Sequence, residues 1–226
     1  MKREDVRNKI RETGIVTAIR VNSKDDALFA AGAVHEGGIP VIEVSMTLDG
    51  ATNVISHLMR QNQELIVGAG SVLTAEMAQA CLDAGAQFFT SDGLHLKLID
   101  FAARKEVVVF PGALTPTEVI TAWECGCDFV KVVPCAQIGG ETYIRSLHTM
   151  YPQIALIAAG GVNQQTASKY ILAGAAALGI GRELIPADAI RHRQAHRVQE
   201  LARRFVGFVK SAREGKFPEH EGPYAG

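Results

Sequence analysis

Eight short runs of β-branched and small apolar residues recur along the whole chain: VTAIR from Val16, VIEVS from Val41, LIVGAG from Leu65, QFFTS from Gln87, VVVFPG from Val107, FVKVVP from Phe129, ALIAAGG from Ala155 and ALGIGR from Ala177. Their starts are spaced by roughly 20 to 26 residues, the length of one strand, one helix and two loops in a (β/α)8 barrel. The intervening segments carry helical apolar spacing. In KDDALFAAGAVHEGG, Ala27, Leu28, Ala31 and Val34 share one face and Gly37-Gly38 ends the helix. TAEMAQACLDAGA repeats the design, with Met77, Ala78, Cys81 and Leu82 facing in and Gly85 as the stop; TPTEVITAWECGC and QQTASKYILAGAA end in the same way at Gly126 and Gly174. Thr115, Pro116 and Glu118 spell a capping box with proline at the first helical position. The pattern predicts one α/β domain over residues 1–213, a (β/α)8 TIM barrel, with a helix around Val6–Ile10 before the first strand. Residues 214–226, rich in Gly, Pro and charge, read as a tail. A doubly wound open sheet satisfies the same periodicity, because spacing does not show closure.

Composition narrows the partners. Of the 226 residues 47% are apolar and 21% charged, and no apolar run reaches the roughly 18 residues of a membrane span, so a soluble protein is expected. A net charge of -1 gives no reason to expect nucleic acid or a membrane surface, which leaves a small molecule as the expected partner. The first segment, MKREDVRNKIRETG, mixes charges of both signs and lacks the apolar core of a secretory signal. A cytoplasmic location follows as the expectation, with Cys81, Cys125, Cys127 and Cys135 reduced. Cys125 and Cys127 are separated by one residue, with no second pair at zinc-ligand spacing. His192 and His196 stand four apart on an expected helix, but Arg193 occupies the place of the glutamate in a metalloprotease HExxH. That pair reads as an exposed helix face, and no metal is expected.

Chemistry in such a barrel is carried at the carboxyl ends of the strands. Strand one ends at Arg20, strand two holds Glu43 with Ser45 and Thr47 beyond, strand three ends in Gly68-Ala69-Gly70-Ser71, and strand six holds Lys131. Alternation puts Glu43 on the side of Val41 and Ser45, and Lys131 on the side of Phe129 and Val133, so both charged groups are expected inside the barrel. Two readings fit: a structural ion pair between them, or a reactive amine and a carboxylate with separate tasks. For Lys131 alone, a side chain snorkelling to water is the simpler alternative. Gly160-Gly161 follows strand seven and Gly179-Ile180-Gly181-Arg182 follows strand eight, where backbone N–H groups of such barrels often hold a phosphate. Arg20 and Arg182 add guanidinium groups suited to carboxylate or phosphate, although each could equally be a solvated surface arginine. GAGS lacks the third glycine of a dinucleotide fingerprint, Leu73 standing in its place.

Assembled in order, AIR, IEVSMT, IVGAGSVL, DAGAQFFTS, FPGALTPTEV, FVKVVP, AAGGVN and GIGRELI resemble the 2-keto-3-deoxy-6-phosphogluconate (KDPG) and 4-hydroxy-2-oxoglutarate (KHG) aldolase family from about Ile15 to Lys210. The resemblance implies a (β/α)8 barrel, a homotrimer, and a class I aldolase that works through a covalent Schiff base with no cofactor. It places the Schiff-base lysine at Lys131 and the general acid/base at Glu43. It also puts the hydroxyl that helps hold the pyruvyl carboxylate at Ser71, and the strand-one arginine at Arg20. Pro111 and Gly112 of the FPG motif, together with Thr47, Val133, Gly160, Gly161, Gly181 and Arg182, fall at the family's substrate-binding positions.

The implied reaction cleaves a 2-keto-3-deoxy sugar acid, KDPG in the first instance, to pyruvate and glyceraldehyde 3-phosphate. An amine attacks a ketone only when unprotonated, and an apolar pocket disfavours the charged form. Three alternatives stay open: cleavage of 4-hydroxy-2-oxoglutarate to pyruvate and glyoxylate, a phosphosugar isomerase or epimerase, and a non-catalytic sugar-acid-binding barrel. Several departures from the family pattern bear on the substrate. Ala158-Ala159 replaces Pro-Thr, Arg182 replaces the serine of the phosphate cup, Ser91-Asp92-Gly93 replaces Ser-Pro-Gly, and Val133 stands where many members have phenylalanine. Thr47 occupies a position that is arginine in some members.

Overall fold

A computed structural model describes residues 1–216; the expected tail lies, from residue 217 on, outside the described residues. All the strands run parallel: β1 (Ile15–Ile19), β2 (Val41–Ser45), β3 (Ile66–Gly70), β4 (Phe88–Thr90), β5 (Val108–Phe110), β6 (Gly112–Ala113), β7 (Val130–Val132), β8 (Leu156–Ala159) and β9 (Ala177–Ile180). The eight expected runs become nine strands because VVVFPG is cut at Pro111, which has no N–H to give to a ladder. Its first half pairs with β4 and its second half with β7. The ring closes there: Asp128 N–H donates to the Val109 carbonyl at 3.0 Å and Lys131 N–H to the Pro111 carbonyl at 2.9 Å. An open doubly wound sheet is thereby excluded, since the strand order β5-β4-β3-β2-β1-β9-β8-β7-β6 joins its two ends through one peptide segment.

Closure divides each strand's side chains between two cores. Val16, Val41, Ile66, Phe88, Phe110 and Phe129 point into the barrel, with Phe88 stacked on Phe110 at 5.1 Å and Phe110 edge-on to Phe129 at 5.8 Å. Their neighbours of opposite parity, such as Ile42, Val44, Val67 and Val130, pack outward against the helices. The first helix, α1 (Arg3–Thr13), inserts Val6 and Ile10 into the inner core and plugs the end of the barrel where the strands begin. It is pinned there by Asp128, a buried carboxylate that accepts from Arg3 at 2.9 Å and from the Val109 N–H at 3.0 Å.

The outer layer is α2 (Lys24–Glu36), α3 (Ala51–Gln61), α4 (Ala75–Asp83), α5 (Leu96–Arg104), α6 (Pro116–Glu124), α7 (Gly140–Met150), α8 (Ala167–Leu172), α9 (Ala187–Arg191) and α10 (Ala195–Arg213). On α2, Ala27, Ala31 and Val34 are buried as the spacing predicts, but Ala30 is buried where Leu28 is only partly so. The capping box of α6 is formed: Thr115 Oγ1 accepts from the Glu118 N–H, and the Glu118 carboxylate accepts the N–H groups of Thr115 at 2.7 Å and Leu114 at 2.9 Å. Those donors favour the ionised carboxyl and hold Glu118 below the usual range. His192 and His196 do not share a helix. His192 lies past the end of α9, Arg193 takes a left-handed backbone at φ 50°, and His196 belongs to α10. No helix among the described residues is long and apolar enough to cross a membrane, and no cluster of three metal-ligating side chains occurs among them.

Candidate active site

Small residues shape the mouth above the inner core. Ala18 on β1, Gly70 on β3, Ala159 on β8 and Gly179 on β9 share the inward parity of Val16, Ile66, Ile157 and Ala177 and line a cup of small residues, whereas the space that a side chain at Gly68 would take is filled by the Phe88 ring. Glu43 and Lys131 project into this cup, 3% and 4% exposed. The inward placement expected from alternation is therefore found, and Lys131 does not snorkel to open water. A Cβ at Gly70 would collide with Glu43 Oε1, so glycine at that position makes the room that the carboxylate occupies.

The two charged groups are not paired with each other. Lys131 Nζ donates to Asp92 Oδ1 at 3.0 Å and lies 3.4 Å from Thr90 Oγ1, whereas the Glu43 carboxylate takes no hydrogen bond from any described residue. A structural Glu43–Lys131 ion pair is thus ruled out. The expectation of an amine surrounded only by apolar groups is also corrected, because a carboxylate from the loop after β4 reaches the nitrogen. That carboxylate collects two further donors, Arg20 Nη2 at 3.1 Å on Oδ1 and Ser71 Oγ at 2.7 Å on Oδ2. Burial on its own would raise the Asp92 pKa, but the Lys131 charge, the Ser71 and Lys131 hydrogen bonds and the Arg20 charge together outweigh it and hold the carboxyl at about 2.

Asp92 is the residue that the sequence reading missed as a site group. A signal was available: counting by twos from the inward Phe88 passes through Thr90 and arrives at Asp92. Two local features aim the pair. Ser71 adopts φ 56°, a left-handed conformation uncommon for a non-glycine residue, and Gly112 lies so close beneath the Asp92–Gly93 backbone that any Cβ there would clash with it. Pro111 and Gly112 are buried.

The remaining positions fall at the rim. Val133 is half-buried two residues beyond Lys131, and Thr47 is exposed, its hydroxyl 2.8 Å from that of Ser45. Gly160 and Gly161, at φ 80° and 91°, pass so near the Pro134–Ala136 segment that side chains would collide with it. Ala136 N–H donates to the Gly160 carbonyl at 3.0 Å, while the N–H groups of Gly161 and Arg182 donate to no protein acceptor among the described residues. Arg182 is not brought together with Lys131. Its side chain lines a separate cavity of about 460 Å³ between the turn after β9 and α10, with Glu183, Arg197, Glu200 and Arg204 among its walls.

A closed parallel barrel with a buried amine, a buried carboxylate and backbone donors at the carboxyl ends of its strands defines a (β/α)8 barrel with its reaction chamber in the barrel mouth. The family description "KDPG and KHG aldolase" matches residues 6–201, and the chain belongs to that family of class I pyruvate lyases. It is similar to the 2-dehydro-3-deoxy-6-phosphogalactonate aldolase of Escherichia coli K12, with 30% identity over 88% of this chain and 95% of that one. It is also similar to the KHG/KDPG aldolase of the same organism, with 29% identity over 87% and 92%. Among solved structures, the KDPG aldolase of Legionella pneumophila, with pyruvate captured at low pH as a covalent carbinolamine, superimposes with a TM-score of 0.81 at 26% identity, covering 88% of this chain and 96% of that one.

Proposed function

We propose that this chain cleaves a 2-keto-3-deoxy sugar acid to pyruvate and an aldehyde through an imine on Lys131. The observation that carries the reading is that Lys131 and Glu43 share the inward face of the barrel and are buried there without pairing with each other: the amine bonds Asp92, and the carboxylate takes no hydrogen bond from any described residue. Lys131, once parted from Asp92 and deprotonated to solvent, attacks C2 of the substrate ketone; a proton returned from solvent to the carbinolamine oxygen lets it leave as water, and a protonated imine forms. Glu43 takes the proton of the C4 hydroxyl, the C3–C4 bond breaks, and its electron pair is accepted by the imine, leaving an enamine. The proton held by Glu43 then passes to C3, and water releases pyruvate and restores the amine. Arg20 and Ser71 hold the carboxylate beside C2, and Thr47 and Val133 border the chain beyond it. The open N–H groups around Gly161, Gly181 and Arg182 suit an anionic far end.

Phosphate at that far end makes 2-keto-3-deoxy-6-phosphogluconate the substrate and glyceraldehyde 3-phosphate the aldehyde. 4-Hydroxy-2-oxoglutarate, giving glyoxylate, is the second reading, and the E. coli galactonate relative brings the C4 epimer into the comparison. Coupling pyruvate release to lactate dehydrogenase across these three acids selects among them. Pyruvate with borohydride should leave a single reduced adduct on Lys131; full lyase activity with an unmodified Lys131 would overturn the mechanism. The family resemblance extends to a cytoplasmic homotrimer, which sedimentation of the purified chain checks.

A further inference from the structure

The Asp92 carboxylate is held as a bound ligand carboxylate would be. One oxygen accepts from the Lys131 ammonium at 3.0 Å and the Arg20 guanidinium at 3.1 Å, and the other accepts the Ser71 hydroxyl at 2.7 Å. A 2-keto acid bonded through C2 to Nζ must carry its own carboxylate about 3 Å from that nitrogen, because the carboxyl carbon is attached directly to C2. The two carboxylates therefore claim the same donors, and two like charges at that separation disfavour each other strongly.

We propose that Asp92 is an internal competitor for the subsite of the substrate's 1-carboxylate, and that substrate binds by displacing this side chain from Ser71, Arg20 and Lys131. Asp92 thereby sets specificity: a ligand that brings its own carboxylate beside the carbonyl compensates Arg20 and Ser71 for the one they lose, and a simple ketone or aldehyde does not. The local structure permits the exchange without moving the loop. The Asp92 backbone rests against Gly112, and Ser91 Oγ ties down the Gly93 carbonyl at 2.7 Å, whereas the Asp92 side chain is 46% exposed and can rotate into water. Lys131, by contrast, is held inside the barrel with a side chain 5% exposed.

The inference rests on the pyruvate-forming reading, and the experiment separates the two. Pyruvate is titrated against the purified wild-type chain and the Asp92→Asn and Asp92→Ala variants, with borohydride trapping read by intact mass. Oxamate, an unreactive isostere of pyruvate, is titrated in parallel by calorimetry. A resident competitor that leaves the subsite open about a tenth of the time weakens apparent affinity about tenfold. Both variants are therefore expected to saturate at about tenfold less pyruvate and to bind oxamate more tightly by a similar factor. A gain in affinity cannot come from a damaged fold. Adduct in the wild type with unchanged or weaker binding in both variants would overturn the inference alone. No adduct in any of the three proteins would overturn the aldolase reading beneath it.

Discussion

Glu43 on β2 and Gly70 on β3 are fitted to each other: Oε1 of the glutamate occupies the space in which a side chain at residue 70 would begin. The obstructing atoms are the far end of a flexible side chain, so Gly70→Ala should leave the fold intact and move the carboxylate instead. A displacement of about 1 Å at a reacting group costs about a hundredfold in rate. The expected result is a thermal midpoint within a few degrees of wild type and turnover reduced about a hundredfold. Unchanged turnover would mean that the position of Glu43 is not critical.

Glu43→Gln separates the two halves of the proposed reaction. The amide keeps the size of the side chain but cannot take a proton, and general-base assistance contributes about 10²- to 10⁴-fold. Lyase turnover should fall by that factor while pyruvate, which has no C3–C4 bond to break, is still trapped on Lys131 by borohydride. Loss of trapping together with turnover would assign Glu43 to imine formation as well.

Asp92 ties stability to acid pH. Its carboxyl is held at about 2 in the folded chain against an ordinary 3.8, so the unfolded chain takes up the proton first as pH falls. The contribution to stability is complete above about pH 4 and disappears as pH drops toward 2. Urea midpoints of wild type and Asp92→Asn should differ at pH 5 and converge near pH 2. A constant difference across that range would contradict the linkage.

Asp128 carries a different load at the opposite end of the barrel. Removing it strips Arg3 of its carboxylate and leaves the Val109 N–H without an acceptor, in a place where β5, β7 and α1 meet. Arg3 is part-exposed and can turn to water, but the buried Val109 N–H left without an acceptor costs about 1–3 kcal/mol. Asp128→Ala should lower the chemical denaturation midpoint accordingly, with pyruvate trapping retained in the fraction that remains folded. A loss below about 0.5 kcal/mol, typical of surface substitutions, would show that α1 is held by Val6 and Ile10 alone.

The four cysteines should differ sharply towards thiol reagents. Burial pushes Cys81 up to about 11, and burial with the neighbouring Asp128 charge pushes Cys127 up to about 12; burial likewise raises Cys135. Cys125 alone is exposed. Titration with Ellman's reagent at pH 8 should release one equivalent rapidly from the native chain and four after denaturation. A second fast equivalent would mean that one of the helix–barrel contacts opens readily.

The pattern of eight runs, the helix stops and the parity of Glu43 and Lys131 were all legible in the amino-acid sequence, because each depends on a period of two or 3.6 residues and a few neighbouring side chains. Closure was not: it is made where the chain breaks at Pro111 and offers its two halves to β4 and β7, a pairing between residues far apart in sequence. The partner of Lys131 was likewise a tertiary matter. Periodicity put the lysine and Glu43 inside one barrel and suggested a pair, but strand register and tilt decide which groups meet across the interior, and they bring Asp92 from a loop to the amine instead. Arg182 shows the same limit at the rim, since its position after β9 is local information but the cavity that it borders with Arg197, Glu200 and Arg204 is made only where α10 comes alongside that turn. Sequence by itself determined which residues face inward; distances across the cup came only with the closed fold, because they depend on contacts that no local rule contains.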